Sequence, residues 1–418
     1  MTAGRDILNR NVRSPRLVLG GILIAIAGAS ACQLFFSFGT VGDGSDGASD
    51  GTADTTNQGD APSDGRSGDA IGPDGAVPCD ASCAAVTLVP SLNQPAGLHV
   101  ANGNVYWTTF SNDSMAGLWC KPVGGGPPQS LAPGFPYVAD FVVDSNGAYI
   151  AAPVANHEIA AYVFGAGTCG SGGQSFTFSN DPGAQALAID DARLYWYHQD
   201  NVDHTIYMVP KDAGADAQAG VTYSFQFGYG SAVAMTTYGG QLYFTIDYPP
   251  AADGGATPGQ VGNQSVAGAE AGAVSTFASG GIRPAAIAVD ASGTYWVNAG
   301  DRDNGGSVMM YGSHANQAAL VADMQASPVG IYVDDQYVYW TNRGTSANGY
   351  DDGSVMRALK AGPGTPTTLA KGEPQPMGIG GDGANVYWVD CGAGNDCFSY
   401  MVPNDLGKLM TLPTCNCP

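Results

Sequence analysis

A tyrosine followed by a bulky apolar residue recurs seven times, at Tyr106, Tyr149, Tyr195, Tyr243, Tyr295, Tyr339 and Tyr387. Each follows a small or apolar run that ends near an aspartate and a turn. The gaps between anchors are 43, 46, 48, 52, 44 and 48 residues, the period of a propeller blade rather than of a helical repeat. The clearest copies are AIAVDASGTYW from Ala286, GIYVDDQYVYW from Gly330 and GIGGDGANVYW from Gly378, with a weaker one, ALAIDDARLYW, from Ala186.

Each copy predicts two strands joined by a tight turn: an alternating small and apolar strand, an Asp with small polar residues as turn chemistry, then a strand opening on Tyr. A polar Gly/Asp-rich loop leads to a third and fourth strand, as in GSVMR from Gly353 followed by TTLA from Thr367, or GSVMM from Gly306 followed by ALVA from Ala319. A proline often precedes the next copy (Pro284, Pro328, Pro376). The fold class is therefore all-β, a β-propeller of seven four-stranded blades, or six if one degenerate copy is discounted. One such sheet cannot cover both its faces, so the copies must close into a ring. Aromatic rings at equivalent positions belong between blades, where each contributes up to roughly 4–6 kcal/mol from buried area.

The phrase Y-W-x-[DN], in Tyr387 to Asp390 (YWVD), Tyr339 to Asn342 (YWTN) and Tyr295 to Asn298 (YWVN), resembles the YWTD repeats of low-density-lipoprotein-receptor propellers. It is also similar to the NHL-type bacterial propellers. The resemblance covers residues 85–418 and implies a propeller, six-bladed in those relatives. Tyr149-Ile150 and Tyr243-Phe244 lack the Trp, and only the last copy keeps the terminal Asp, so receptor-type ligand binding is not carried over.

Residues 1–31 carry the marks of an export signal: Arg5, Arg10, Arg13 and Arg16, an apolar run from Leu17 to Ala29, then Ala29-Ser30-Ala31-Cys32. The run is too short and wrongly flanked for a spanning helix. The last four residues resemble a bacterial lipobox, which implies cleavage before Cys32 and lipidation of its thiol; plain A-x-A cleavage after Ala31 is the alternative. Residues 32–84 are expected to be a disordered acidic tether, rich in Gly, Asp and Ser with few large apolar side chains. A Gly-rich coil of about 40 residues would hold the propeller roughly 35 Å from its anchor. The expected address is the cell envelope, on a membrane-anchored lipoprotein facing the periplasm or the outside.

The chain has 37 acidic against 15 basic side chains and a formal net charge of −22, which excludes nucleic acid as a natural partner. Cysteine usage agrees with export. Apart from Cys32 there are eight: Cys79, Cys83, Cys120, Cys169, Cys391, Cys397, Cys415 and Cys417, an even number that suggests disulfides. Cys391 and Cys397 flank a Gly-rich loop and are expected to pair with each other. Cys120 and Cys169 occupy similar places in the first two blades and suggest an inter-blade bridge. The strand from Val86 to Val89 resembles later fourth strands; if it completes the last blade, Cys79 and Cys83 come near Cys415 and Cys417. Cross-pairing would then lock the closure, with a zinc site of the same four as the rival.

No H-E-x-x-H, G-x-S-x-G or Walker loop is present, and Gly165 to Gly173 is a wide turn rather than a dinucleotide fingerprint. Residues shared by most blades, Asp144, Asp190, Asp290, Asp334 and Asp382, read as turn formers. Functional residues should break the repeat. The loops between second and third strands share one rim with the connections between blades, and that rim collects His157, Asp200, His204, Asp247, Asp301, Asp303, Asp351, Asp352 and Asp396, together with Asp113, Glu158 and Asp203. It is the expected ligand surface above the central channel. No cofactor and no defined metal set is expected; Ca²⁺ at residues 301–305 and a transition metal at His157, His198 and His204 are the ions considered.

The expected function is that of a noncatalytic, monomeric binding module for a protein, peptide or glycan. The alternative is a metal-dependent lactonase or hydrolase, resembling the gluconolactonase-type propellers, which implies inward carboxylates and amides on the innermost strands. Those strands here carry mainly Ala, Gly, Val and Ile, as at Ala286 to Val289.

Overall fold

The computed structural model describes residues 84–414, except 111–115, 134, 136, 153–157, 164–168, 170–173, 180, 182, 200–203, 213–230, 250–254, 267–273, 313–314, 361–363 and 394–405. Signal, tether and Cys32 thus lie outside the described residues, as do Cys79, Cys83, Cys397, Cys415 and Cys417.

The first strand, β1 (Val86–Leu92), precedes the first complete blade. Blade 1 is β2 (Pro95–Ala101), β3 (Asn104–Thr109), β4 (Gly117–Pro122) and β5 (Gln129–Pro133). Blade 2 is β6 (Asp140–Val143), β7 (Gly147–Ala152), β8 (Glu158–Val163) and β9 (Gln174–Ser179). Blade 3 shows β10 (Ala184–Ile189), β11 (Arg193–Gln199) and β12 (His204–Pro210) among the described residues. Blade 4 is β13 (Ser231–Tyr238), β14 (Gln241–Asp247), β15 (Pro258–Ser265) and β16 (Ser275–Ile282). Blade 5 is β17 (Pro284–Asp290), β18 (Gly293–Asn298), β19 (Gly306–Gly312) and β20 (Ala315–Gln325). Blade 6 is β21 (Pro328–Val333), β22 (Tyr337–Asn342), β23 (Gly353–Leu359) and β24 (Thr367–Glu373). Blade 7 holds β25 (Pro376–Gly381), β26 (Asn385–Asp390) and β27 (Gly407–Pro413).

All sheets are antiparallel meanders, and β1 supplies the fourth strand of blade 7 in the order β1-β27-β26-β25. Val86 pairs with Thr411 and Leu92 with Gly407, so the start of the described chain is stitched to its end. Inner strands touch in sequence around the circle, from β2 to β6 and onward, with β25 returning to β2. Seven anchors thus give seven blades. Third and fourth strands outrun the sequence expectation: β20 begins at Ala315 rather than Ala319, and β24 runs to Glu373 rather than Ala370.

The hairpin aspartates explain the five-residue spacing to Tyr. Asp334 Oδ1 accepts the amides of Gln336 (2.9 Å) and Tyr337 (2.7 Å), while Oδ2 accepts the hydroxyl of Tyr339 at 2.7 Å. Asp190 with Tyr195 and Asp382 with Tyr387 repeat the hydroxyl bond at 2.7 and 2.8 Å. In blade 5 the hydroxyl of Ser292 mediates between Asp290 and Tyr295, leaving the other Asp290 oxygen to Lys360 of blade 6. Burial and the neighbouring Asp334 charge push the Tyr339 phenol up, so it stays a donor.

The next residue fills the space between blades. Trp107, Trp196, Trp296, Trp340 and Trp388 are all buried and lie across the hairpin from Leu98, Leu187, Ile287, Ile331 and Ile379. The third position of the phrase repairs a bulge in the inner strand. Thr108, Thr245 and Thr341 hydroxyls accept the amides of Gly97, Ala234 and Gly330 at 3.0–3.1 Å, and Thr341 donates onward to the Met377 carbonyl of blade 7 at 2.6 Å.

In blades 4 to 7 a glycine opens the third strand or follows its first residue because the next blade's proline lies against it. A Cβ at Gly259, Gly306 or Gly353 would collide with the ring of Pro284, Pro328 or Pro376, and one at Gly407 with Pro95. The last contact joins blade 7 to blade 1, so the junction that repeats along the chain also closes the ring. Cys120 of β4 is bonded to Cys169, between β8 and β9, with Cα atoms 5.8 Å apart, joining blades 1 and 2. Cys391 is also disulfide-bonded.

Tyr339→Phe leaves the shape of blade 6 intact and deprives the Asp334 carboxylate of a donor. It is expected to destabilise the protein by about 1.5–3 kcal/mol, read as a lower urea midpoint with unchanged slope. An unchanged midpoint would contradict the role given to the hydroxyl.

Candidate ligand-binding rim

The face opposite the hairpin aspartates is built from the blade junctions. Gln94, Arg283, Ser327 and Gln375 each precede an inner-strand proline and have left-handed φ values of 41°, 54°, 55° and 55°. That turn aims their carbonyls at the end of the blade's second strand. Phe110, Ala299, Arg343 and Cys391 donate to them at 3.3, 2.8, 3.0 and 3.0 Å. A second rung follows in blades 5 to 7, where Gly300, Gly344 and Gly392 donate to Ile282, Ala326 and Pro374 at 3.0, 3.0 and 3.1 Å. These three glycines have φ values of 80°, 105° and 111°, which a side chain would strain. The loops leaving this ladder therefore start from fixed backbone.

In blades 5 and 6 those loops interlock. The Asp303 carboxylate crosses the boundary and accepts Ser346 N (3.0 Å), Ser346 Oγ (2.8 Å) and Ala347 N (3.4 Å), capping a short 3-10 turn, Ser346–Asn348. Asp352 holds the same turn from inside, accepting Thr345 N (2.7 Å), Thr345 Oγ1 (2.6 Å) and Asn348 Nδ2 (2.6 Å). Below it the Arg343 guanidinium is buried with its carbon 4.1 Å from the Tyr350 ring centre. Gln375 at the start of blade 7 donates its amide to the Tyr350 carbonyl at 3.0 Å, and its side chain lies 3.5 Å from Arg343 Nη2. A hydrogen-bonded arc thus runs over three blades.

The hydrogen bonds shape the charge state. Donation from the Ser346 amide, then from its hydroxyl, holds the Asp303 carboxyl below the ordinary carboxylate range. For Asp352, burial alone would raise the carboxyl, but donation from Thr345 and Asn348 outweighs it and the net direction is down. Both are anions bonded within the protein. What the arc turns outward is Asp301, Arg302, Asn304, Asp351 and the turn 346–349, all exposed.

Among the residues read from sequence as a rim, Asp301, Asp303, Asp351 and Asp352 lie on this arc. Asp247 ends β14 at the same face but is buried, accepting the Tyr248 amide at 3.1 Å. His157, Asp200 and Asp396, with Asp113 and Asp203, lie outside the described residues. So do the side chains of His204 and Glu158, whose backbones open β12 and β8. His198 points instead to Asp181, 2.6 Å from its Nδ1. Ser346, Thr345, Arg343, Tyr350 and Gln375 were not anticipated, because their contacts join loops with no common period. Among the described residues no group of three His, Cys, Asp or Glu side chains is placed to hold a metal ion.

No family model matches the sequence, and no curated protein matches it. Among solved structures, the chain is similar to the β-propeller domain of the Trilobed protease from Pyrococcus furiosus, at 10% identity and TM-score 0.50, over 71% of this chain and 91% of that one. That propeller is described as having an open velcro topology; here β1 and β27 are paired. A puromycin-hydrolyzing peptidase of Mycobacterium tuberculosis is similar at 12% identity and TM-score 0.50, over 75% of this chain and 52% of that one. A chain of a nidogen/laminin complex overlaps at 16% identity and TM-score 0.40, over 56% of this chain and 82% of that one. The chain spans about half the length of the whole peptidases it matches. At these identities the likeness establishes the β-propeller fold and nothing finer.

Asp303 and Asp352 carry folded-state values below their unfolded ones, so their contribution is complete above the unfolded range and lost as pH falls through the folded values. Hydrogen-exchange protection of the Thr345 and Ser346 amides is expected to hold from pH 7 to about pH 5 and to fall below about pH 4. In Asp352→Ala the Thr345 amide should be weakly protected throughout. Protection that persists in that variant would remove Asp352 from this role.

Proposed function

We propose that the protein is a noncatalytic β-propeller of the YWTD-like kind, exported, lipid-anchored at Cys32 in the cell envelope, that binds a protein, peptide or glycan at the rim over blades 5 and 6. The observation that carries this reading is the interlocked pair of loops at 300–305 and 343–352. Its inner carboxylates are engaged by the fold while Asp301, Arg302, Asn304 and Asp351 are turned outward. A polar surface held in advance by a rigid scaffold loses little entropy on binding. The YWTD-like assignment rests on the roles the phrase performs, with the Tyr hydroxyl on the hairpin Asp, the Trp between blades and the Thr on the bulge. The lipid anchor rests on the Ala29-Ser30-Ala31-Cys32 phrase, and the tether gives the ring reach from the membrane.

A lactonase-type or hydrolase-type centre is the rival reading, and it needs acidic or amide side chains free in the central channel. Asp140, on an inner strand, is buried and engaged: it accepts its neighbour Phe141's amide at 2.8 Å and the Leu187 amide of blade 3 at 2.7 Å. Metal analysis of the purified protein discriminates the two, since one tightly held divalent ion per chain would favour the enzyme.

A photo-crosslinking residue placed at Asn304 or Asn348 in the native envelope is expected to give discrete adducts. The same residue at Asp335, in the hairpin turn at the opposite end of blade 6, should give none. Equal labelling from both faces, or none from the rim, would overturn the rim assignment. Separately, Cys32→Ser is expected to move the protein from the membrane fraction to the soluble fraction, and continued membrane retention would contradict lipidation.

A further inference from the structure

Three positions recur at the junction side of the blades: an acceptor fifteen residues before the Trp, the Trp itself, and a residue two places after it. At the junction of blades 5 and 6 they are Gln325, the last residue of β20, with Trp340 and Asn342 of β22. Gln325 Oε1 accepts Trp340 Nε1 at 2.8 Å and Asn342 Nδ2 at 2.9 Å. In blade 3 they are Asp181, Trp196 and His198, and the Asp181 carboxylate takes Trp196 Nε1 at 2.7 Å and faces His198 Nδ1 at 2.6 Å. Both triads follow one rule, in which the first residue accepts and the other two donate.

At the junction of blades 6 and 7, Glu373 at the end of β24 and Trp388 and Asp390 of β26 stand at these positions. Asp390 is fully buried, and neither of its oxygens, nor Trp388 Nε1, has a partner of full hydrogen-bond geometry. As an anion Asp390 has nothing to donate, and the acceptor facing it is another carboxylate. A buried carboxylate without a donor costs several kcal/mol, whereas a carboxylic acid at the same place donates as the Asn342 amide does.

We propose that Asp390 is held as the neutral acid and donates to the Glu373 side chain, and that this proton is a pH-sensitive clasp on the junction between blades 6 and 7. Burial first, and then the Glu373 charge, push the Asp390 carboxyl well above its ordinary value. The Lys408 charge, from the paired position on β27, pulls the other way. Among the described residues, the Glu373 strand also carries Lys371, which is exposed, and the other elements around Asp390 add little charge. β25 and β1 carry no ionisable side chain, Arg343 beyond β22 is directed to Tyr350 and Gln375, and His99 of β2 packs on Phe141.

The clasp sits one residue from the rim ladder on both sides. Glu373 precedes Pro374 and Gln375, Asp390 precedes Cys391 and Gly392, and these four residues form the two rungs of blade 7. Losing the proton places two like charges against each other in a dry site and pushes that ladder apart.

The folded value is raised, so the unfolded chain releases this proton at lower pH than the folded one. Stability is then greatest below the unfolded carboxyl value and falls as pH rises toward the folded value. Equilibrium unfolding of the mature protein across this range tests it, with Asp390→Asn and the double variant Glu373→Gln/Asp390→Asn. The double variant rebuilds the Gln-Trp-Asn triad that blade 6 already folds.

Relative to either variant, wild type is expected to lose about tenfold in its folding equilibrium for each pH unit across the window. Both variants should be the more stable near pH 8. The infrared carbonyl band of a buried carboxylic acid should persist at pH 7 in wild type and vanish in Asp390→Asn. Exchange at the Cys391 and Gly392 amides, corrected for intrinsic rate, should rise with pH in wild type alone. Parallel pH profiles for wild type and both variants, or no acid band at pH 7, would overturn the proposal.

Discussion

Each blade of this protein is a sheet with two faces to cover and only its neighbours to cover them, so everything depends on how closely successive blades approach. In blades 4 to 7 the approach is set by a glycine at the start of the third strand that leaves room for the next blade's proline, as Gly353 does for Pro376. It is completed by an indole buried in the gap. Because Gly407 meets Pro95 in the same way, the closing junction needs no special device beyond β1, whose pairing with β27 fills the edge that would otherwise expose unpaired backbone.

The two faces of the ring follow from the same strand order and have opposite characters. The hairpin face uses its acids as structure: Asp190, Asp334 and Asp382 each hold a turn and a tyrosine hydroxyl, and Asp144 and Asp290 add lysines from the next blade. The junction face is held by backbone rungs instead, which leaves its side chains free to vary from blade to blade. Variation there has produced the cross-blade lock of Asp303 on Ser346 and the buried Arg343 under Tyr350. Among the described residues the hairpin acids are thus engaged by hydrogen bonds, while Asp301 and Asp351 face outward on the rim.

Repetition also makes the exceptions interpretable. The position two places after the Trp holds Asn298, Asn342 and His198 in blades where a donor is wanted, and Asp390 where the chain supplies a carboxyl instead. A single copy read alone would show only a buried acid. The triads around Trp196 and Trp340 show what hydrogen bond that position is built to make, and therefore which protonation state fits it.

Period, blade number, hairpin aspartates and the closing role of the strand near Val86 were all legible in the chain, because they depend on contacts that recur at constant separation or on local turn chemistry. The Asp-to-Tyr spacing is one example: five residues bring carboxylate and hydroxyl together within one hairpin, whatever surrounds it. The rim was legible only as a face. Asp301, Asp303, Asp351 and Asp352 were placed on it by strand order, but not the division into engaged and outward acids, which depends on Ser346 and Thr345 reaching them across 43 and 7 residues. Asp247 shows the same limit, being on the expected face and yet buried. The sequence by itself determined a ring of like sheets, since burying two faces per sheet admits few other arrangements. Only the tertiary structure decided which carboxylates are caps, which face solvent and which must hold a proton, because those distinctions rest on what stands a few ångströms away in the neighbouring blade.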